Sequence, residues 1–307
     1  MRISKARLCR KSVRRSFEKS VGFDGIAPDA GPRFGFNSLL RIVNEQLSKK
    51  LWKMRGEELV AREIIRIKHH GRTIYGIADF PAETGKWPIV VFCHGFNGSA
   101  DDFVEYSEYL ASRGVASYRF DFCGGSVNTR SSLKMHEMSL FTEKEDLVAV
   151  LENVKKWDPV DKNNIFVLGM SQGGAVSALA ADEHAEDIKG LVLVFPALCI
   201  PDDWNRWFPT RESIPDRYEF WGVTLGRPYI EAVHGYDIYE HIGKYDKEVL
   251  IFHGDKDEVV PVRYGLRAAG IYPNAKIEVY QGEGHGFSEP YHWRVIEKTY
   301  ELVVRNR

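Results

Sequence analysis

The chain has 307 residues, 44% of them apolar and 28% charged, with a formal net charge of −1. That balance is ordinary for a globular protein and gives no overall pull toward nucleic acid or an anionic membrane. No window approaches the roughly 18 consecutive apolar residues of a membrane span, and the basic N-terminus lacks the apolar stretch of a secretory signal.

Charge is nevertheless uneven. Met1 to Ser20 holds eight Lys or Arg residues against one acid, Glu18. A solvated tail is the expectation there, with contact to an acidic surface as the sharper alternative. Residues up to about 36 are then rich in Gly and Pro and read as irregular. From Asn37 to Met54, Leu40, Val43, Leu47 and Leu51 form one stripe of an amphipathic helix capped by Asn37 or Ser38. The four cysteines, Cys9, Cys93, Cys123 and Cys199, are scattered, with no C-x-x-C pair and no His at metal-ligand spacing. Free thiols in a reducing, cytoplasmic setting are expected.

The main domain begins near Val60. Arg62–His69 and Thr73–Phe80 flank a His70-Gly71 turn and predict a hairpin. Pro88–Cys93 is a short solid apolar run, as a strand buried on both faces requires. Helix and strand then alternate: a helix over Asp101–Arg113, a strand over Val115–Asp121, and a helix over Thr142–Trp157 opened by a Thr142-x-x-Glu145 capping box. A strand at Ile165–Met170, a helix at Gly173–Ala181 and a strand at Leu191–Phe195 follow. After an interruption come a strand at Val249–His253, a helix near Val262–Gly270, a strand at Lys276–Tyr280 and a closing helix from about Tyr291. The alternation predicts an α/β fold with a doubly wound, mostly parallel sheet.

The interruption, 197–246, carries Trp204, Trp207 and Trp221, three of the seven tryptophans, with Phe208, Tyr218, Phe220, Tyr229 and Tyr236. A structureless loop of that length is out of place in a compact domain, so it reads as a small insertion with its own structure. The expected organisation is an arm and helix over 1–55, a core over 56–196 and 247–307, and a lid over 197–246. The three tryptophans are candidates to stack on a flat acyl group. The competing expectation is that the aromatics form only a small hydrophobic core.

Gly169-Met170-Ser171-Gln172-Gly173 matches G-x-S-x-G. Five residues arise easily by chance, but here a strand runs into the motif and an Ala-rich helix runs out. A sharp strand–turn–helix corner lifts a serine Oγ clear of the sheet, and the helix N-terminus lends positive potential to an anion forming there. Ser171 is therefore the candidate nucleophile, and a serine needs an adjacent base. His285 lies between glycines after the Lys276–Tyr280 strand and is the candidate. His234 and His241 are its rivals. For the acid that orients the base, Asp255 and Asp257 compete after the Val249–His253 strand. Asp255 follows the strand so closely that shaping the turn is its expected role, so Asp257 is preferred. These positions lie at the carboxyl ends of strands, where open α/β sheets build their sites.

His94-Gly95-Phe96 ends the Pro88–Cys93 strand. The backbone N–H groups of Phe96 and of Gln172, next to the nucleophile, are the candidate oxyanion hole. His94 itself reads as structural. Asp121–Ser126 ends a strand on the same edge and is expected to be a flexible turn.

Taken together, these residues resemble the α/β-hydrolase superfamily from about Ile64 to the C-terminus. Within it the chain looks like the bacterial cinnamoyl and feruloyl esterases, on His94-Gly95-Phe96, Asp121–Ser126, Ser171-Gln172-Gly173-Gly174, the His253–Pro261 segment with Asp255 and Asp257, Gly284-His285 and the aromatic insertion. The resemblance implies hydrolysis of small carboxylic esters, such as those of hydroxycinnamic acids, under a lid. The cycle would pass through an acyl-enzyme on Ser171 and needs no metal or organic cofactor. A serine peptidase or acyltransferase on the same triad is the alternative. A non-catalytic scaffold binding partners through the basic arm and the Leu40–Leu51 stripe is a third reading. Expected partners are the ester substrate and a second copy of the chain, through the N-terminal helix or the lid. The first 55 or so residues have no counterpart in that group: they are a family-specific arm, or the natural start is Met54.

Overall fold

The computed structural model describes residues 60–82 and 84–307. The helix expected over 37–54, Cys9 and the basic arm lie outside the described residues. Ten strands run in chain order: β1 (Val60–His69), β2 (Arg72–Pro81), β3 (Trp87–Cys93), β4 (Ala116–Phe120), β5 (Val160–Met170), β6 (Gly190–Val194), β7 (Arg217–Phe220), β8 (Val223–Gly226), β9 (Val249–Gly254) and β10 (Ala275–Tyr280). The helices are α1 (Val104–Ala111), α2 (Leu140–Val154), α3 (Gln172–Glu183), α4 (Ile200–Trp207), α5 (Arg227–Ala232), α6 (Arg263–Ile271) and α7 (Tyr291–Asn306).

Eight strands make one sheet in the order β1-β2-β4-β3-β5-β6-β9-β10, and β7-β8 pair separately. β1 and β2 form the antiparallel hairpin, β2 meets β4 antiparallel, and from β4 onward all neighbours are parallel. The chain winds outward from β3 in one direction to β4 and in the other to β5. The carboxyl ends of β3 and β5 therefore open at the point where the winding reverses, which is where such sheets form a crevice.

The solid apolar runs of the sequence are explained by the two faces of the sheet. Ile89, Val91 and Cys93 of β3 enter one core, and Val90 and Phe92 enter the other. β5, β6 and β9 alternate the same way. One face is covered by α1 and α7, the other by α2, α3 and the residues between β6 and β9.

Two local expectations are corrected. α2 starts at Leu140, because Ser139 caps it: the Ser139 hydroxyl accepts from Thr142 N and the Thr142 Oγ1 accepts from Ser139 N. Glu145, expected in the capping box, instead pairs with Arg72 at 2.6 Å. Asp121–Ser126 is not a flexible turn either. All six residues are buried, and the Asp121 carboxylate accepts from Ala100 N and from Arg130.

Among the described residues, no helix is long and apolar enough to cross a membrane. No group of three or more His, Cys, Asp or Glu side chains among them is placed to hold a metal ion.

Candidate active site

β5 delivers Ser171 into a corner with φ 52° and ψ −118°, a backbone region that non-glycine residues rarely enter. The corner forms because Gly169 and Gly173, two residues to either side, carry no side chain. A Cβ on Gly169 would lie 2.3 Å from the Gly173 carbonyl oxygen, and one on Gly173 would lie 2.3 Å from that of Cys93. The corner is pinned by Ser171 N donating to Val194 O and by Ala197 N donating to Ser171 O.

The loops after β9 and β10 bring the other two side chains to it. His285 Nε2 lies 2.9 Å from Ser171 Oγ, and His285 Nδ1 lies 2.8 Å from Asp257 Oδ2. The other Asp257 oxygen accepts from Val259 N and Val260 N at 3.0 and 2.8 Å. Since a carboxylate only accepts, Nδ1 of His285 carries a proton and Nε2 is left free to receive one from Ser171. Asp255 is elsewhere: it accepts from Gly282 N at 2.6 Å and so ties the β9 loop to the β10 loop. The expectation that Asp255 shapes its own turn is corrected: its side chain bonds across to the β10 loop, and it is Asp257 that accepts from the turn amides. Of the two rival histidines, His241 stacks on Tyr236, and the ring within reach of Ser171 is that of His285.

The end of β3 runs directly beside the corner. A Cβ on Gly95 would sit 3.2 Å from Ser171 Cβ. That approach brings the Phe96 amide toward the serine, while Gln172 N opens α3. Neither amide has an acceptor among the described residues. Two uncommitted N–H groups flanking one hydroxyl are what a developing oxyanion needs. The β3 loop is held by the segment after β4. His94 Nε2 accepts from Phe122 N, Asn97 N donates to Gly125 O, and Asn97 Oδ1 accepts from Val127 N.

The aromatic insertion divides. Trp204 is 3% exposed and packs edge-on against Trp207, Tyr218, Phe220 and Tyr229, inside the main core. Trp207 and Trp221 are 47% and 65% exposed. Trp221 stacks on Phe220 at 4.5 Å, and both rings contact Phe96 edge-on. Core and surface roles thus fall on different tryptophans, and of the exposed pair Trp221 contacts the Phe96 ring.

Sequence reasoning missed His253, the last side chain of β9 before its closing glycine. It is buried, donates from Nε2 to Val260 O at 2.7 Å, and lies 3.5 Å from Asp257 Oδ2. Its position immediately before the Gly254-Asp255-x-Asp257 turn was the available signal. Burial lowers the pKa of both His253 and His94, so each is neutral in the fold. Unfolding frees them to bind protons near the ordinary histidine value of about 6.5. Their contribution to stability is therefore complete above that value and is lost as pH falls through it. Urea unfolding of wild type and His253→Gln at pH 7.5 and 5.0 should show wild type losing more stability on acidification. Equal losses would refute a buried neutral His253.

Comparison with known proteins agrees with this architecture. A family model described as serine aminopeptidase, S33, matches residues 86–218. A non-heme chloroperoxidase of Kitasatospora aureofaciens is 45% identical over 257 residues, covering 69% of this chain and 90% of the relative. The mitochondrial palmitoyl-protein thioesterase ABHD10 of Mus musculus is 26% identical over 211 residues, covering 64% of this chain and 67% of the relative. Among solved structures, Est1E of Butyrivibrio proteoclasticus with ferulic acid bound superposes with a TM-score of 0.72 at 29% identity, covering 79% of this chain and 98% of that one. Fold and relatives converge: the chain belongs to the α/β-hydrolase superfamily, is an enzyme of that fold, and resembles its feruloyl esterases.

Proposed function

We propose that the protein is a serine carboxylic-ester hydrolase that works through an acyl-enzyme on Ser171, with hydroxycinnamoyl-type esters as its substrate class. The observation that carries this reading is the His285 ring bridging Ser171 Oγ and Asp257 Oδ2 at 2.9 and 2.8 Å. Ser171 attacks the ester carbonyl as its proton passes to His285 Nε2. The oxyanion is held by the amides of Phe96 and Gln172, and Asp257 stabilises the imidazolium. His285 then protonates the departing alcohol, and water repeats the sequence to release the acid. The aryl preference is supported by the likeness to Est1E with ferulic acid bound and by Trp221 and Phe220 beside Phe96.

The test is a panel of methyl hydroxycinnamates, short-chain nitrophenyl esters, acyl thioesters and aminoacyl amides, run on wild type and Ser171→Ala. Wild type is expected to turn over aryl esters fastest. Ser171→Ala should lose on the order of 10⁴- to 10⁶-fold in kcat. Full activity in the variant would end the serine reading, and faster turnover of aminoacyl amides would make the protein a peptidase.

A further inference from the structure

Glu143 is a carboxylic acid fully buried behind the nucleophile corner, on the inward face of α2. The apolar stripe of α2 is Leu140, Leu147, Val150 and Val154, and Glu143 falls within it. Burying a carboxyl there costs stability, so its retention calls for a reason. Its Oε2 accepts from Gln172 Nε2 at 2.8 Å, and Gln172 Oε1 accepts from the Tyr229 hydroxyl at 2.5 Å. All three side chains are buried. The Gln172 amide group is thus gripped from both ends, by α2 on one side and by α5 of the insertion on the other.

We propose that Glu143 is a positioning residue for the oxyanion hole: the chain Glu143–Gln172–Tyr229 fixes the residue whose backbone N–H receives the oxyanion, and ties that N–H to the insertion over the site. This rests on the ester-hydrolase reading above. It goes further, because it assigns a role in turnover to a carboxyl that touches neither the substrate nor the triad.

The charge state of Glu143 follows from its surroundings. Burial pushes its pKa up to about 8, the bond from Gln172 only partly offsets this, and Asp146 on the same helix adds to it. The other titratable groups facing it are the Tyr229 hydroxyl from α5, the Cys93 thiol from β3 and, across Gly125, the His94 ring, which burial keeps neutral. Burial raises the hydroxyl and the thiol, Cys93 to about 12, so neither is charged near neutral pH. Arg72 lies 3.6 Å from Asp146. Glu143 therefore carries a proton at pH 7. Oε2 accepts from Gln172, and Oε1, without a partner, is the oxygen free to hold that proton. A neutral carboxyl can hold Gln172 without setting a negative charge behind the forming oxyanion. Ionisation above pH 8 places one there, so turnover should fall on the alkaline side.

The experiment measures kcat and KM for 4-nitrophenyl butyrate from pH 6.5 to 9.5, in full-length wild type, Glu143→Leu, Glu143→Gln, Tyr229→Phe and Ser171→Ala. Glu143→Leu and Tyr229→Phe should each lose about 10-fold in kcat, the value of one buried hydrogen bond, with KM within about twofold. Glu143→Gln copies the neutral acid. It should return kcat toward wild type and abolish the alkaline decline. The proposal is overturned if Glu143→Leu and Tyr229→Phe keep wild-type kcat, if KM moves in place of kcat, or if Glu143→Gln keeps the alkaline decline. Should Glu143→Leu fail to fold, Tyr229→Phe and the pH profile of Glu143→Gln decide alone. Activity surviving in Ser171→Ala would instead refute the parent reading, so the two failures are distinguishable.

Discussion

Asp257→Asn should lower kcat for ester hydrolysis by about 10⁴-fold, the scale seen when a triad acid is neutralised in place, while Asp255→Asn should stay within a few-fold of wild type. The reason lies in how Asp257 is held. Its Oδ1 accepts from two backbone amides, Val259 N and Val260 N. An asparagine there must keep its carbonyl oxygen on those donors, which turns its NH₂ toward His285. The imidazole then has to accept at Nδ1, so its proton moves to Nε2, the nitrogen facing Ser171 Oγ. The base is occupied and the serine stays protonated. Asp255 presents no such constraint, since an asparagine carbonyl can still accept from Gly282 N. Steady-state kinetics of both variants against a nitrophenyl ester decide the matter. A loss under 10-fold in Asp257→Asn, or a larger loss in Asp255→Asn, would displace Asp257 from the proposed role.

That pair of aspartates also marks how far the sequence could be read. The strand–motif–helix corner at Ser171 was legible because its signals are contiguous: an apolar run, two glycines and small residues, each needed locally. The solid runs of β3, β6 and β9 were legible for the same reason, since a strand buried on both faces has no polar side to show. His285 could be reached through its glycine-flanked loop. In the sequence Asp257 is preferred over Asp255 only by elimination, from how soon Asp255 follows its strand; which carboxylate faces the loop 28 residues later is supplied by the fold. Tyr229 matters through Gln172, 57 residues earlier, and left no periodic trace. Glu143 did leave one, as a charged residue on an apolar helical stripe, but the displaced start assigned to α2 hid it. The tryptophans show a different limit. Composition marked the insertion as aromatic, yet burial of Trp204 and exposure of Trp221 are decided by which side of the β7–β8 hairpin and α4 faces the core.

Gly173→Ala is expected to remove most of the folded protein, and the corner explains why. The added Cβ would lie 2.3 Å from the Cys93 carbonyl oxygen and 2.4 Å from that of His94. Both atoms are backbone, so no rotamer change relieves the contact. Nor can β3 retreat, because Cys93 is registered between Phe120 of β4 and Gly169 of β5. One of these central strands must shift, and a cost above about 4 kcal/mol, at the exceptional end for single substitutions, follows. Gly235→Ala is the control. Gly235 has φ +73° with open space around it, so alanine there meets only left-handed strain, about 1–2 kcal/mol. Urea unfolding and soluble yield of the two variants should therefore differ widely. Any Gly173→Ala protein that does fold must have moved the end of β3 away from α3. That movement carries Gly95 and the Phe96 amide away from Ser171, so specific activity per folded molecule should fall as well. Equal stability of the two variants would mean that the corner does not press on β3, and the close approach that brings the Phe96 amide to the serine would lose its structural basis.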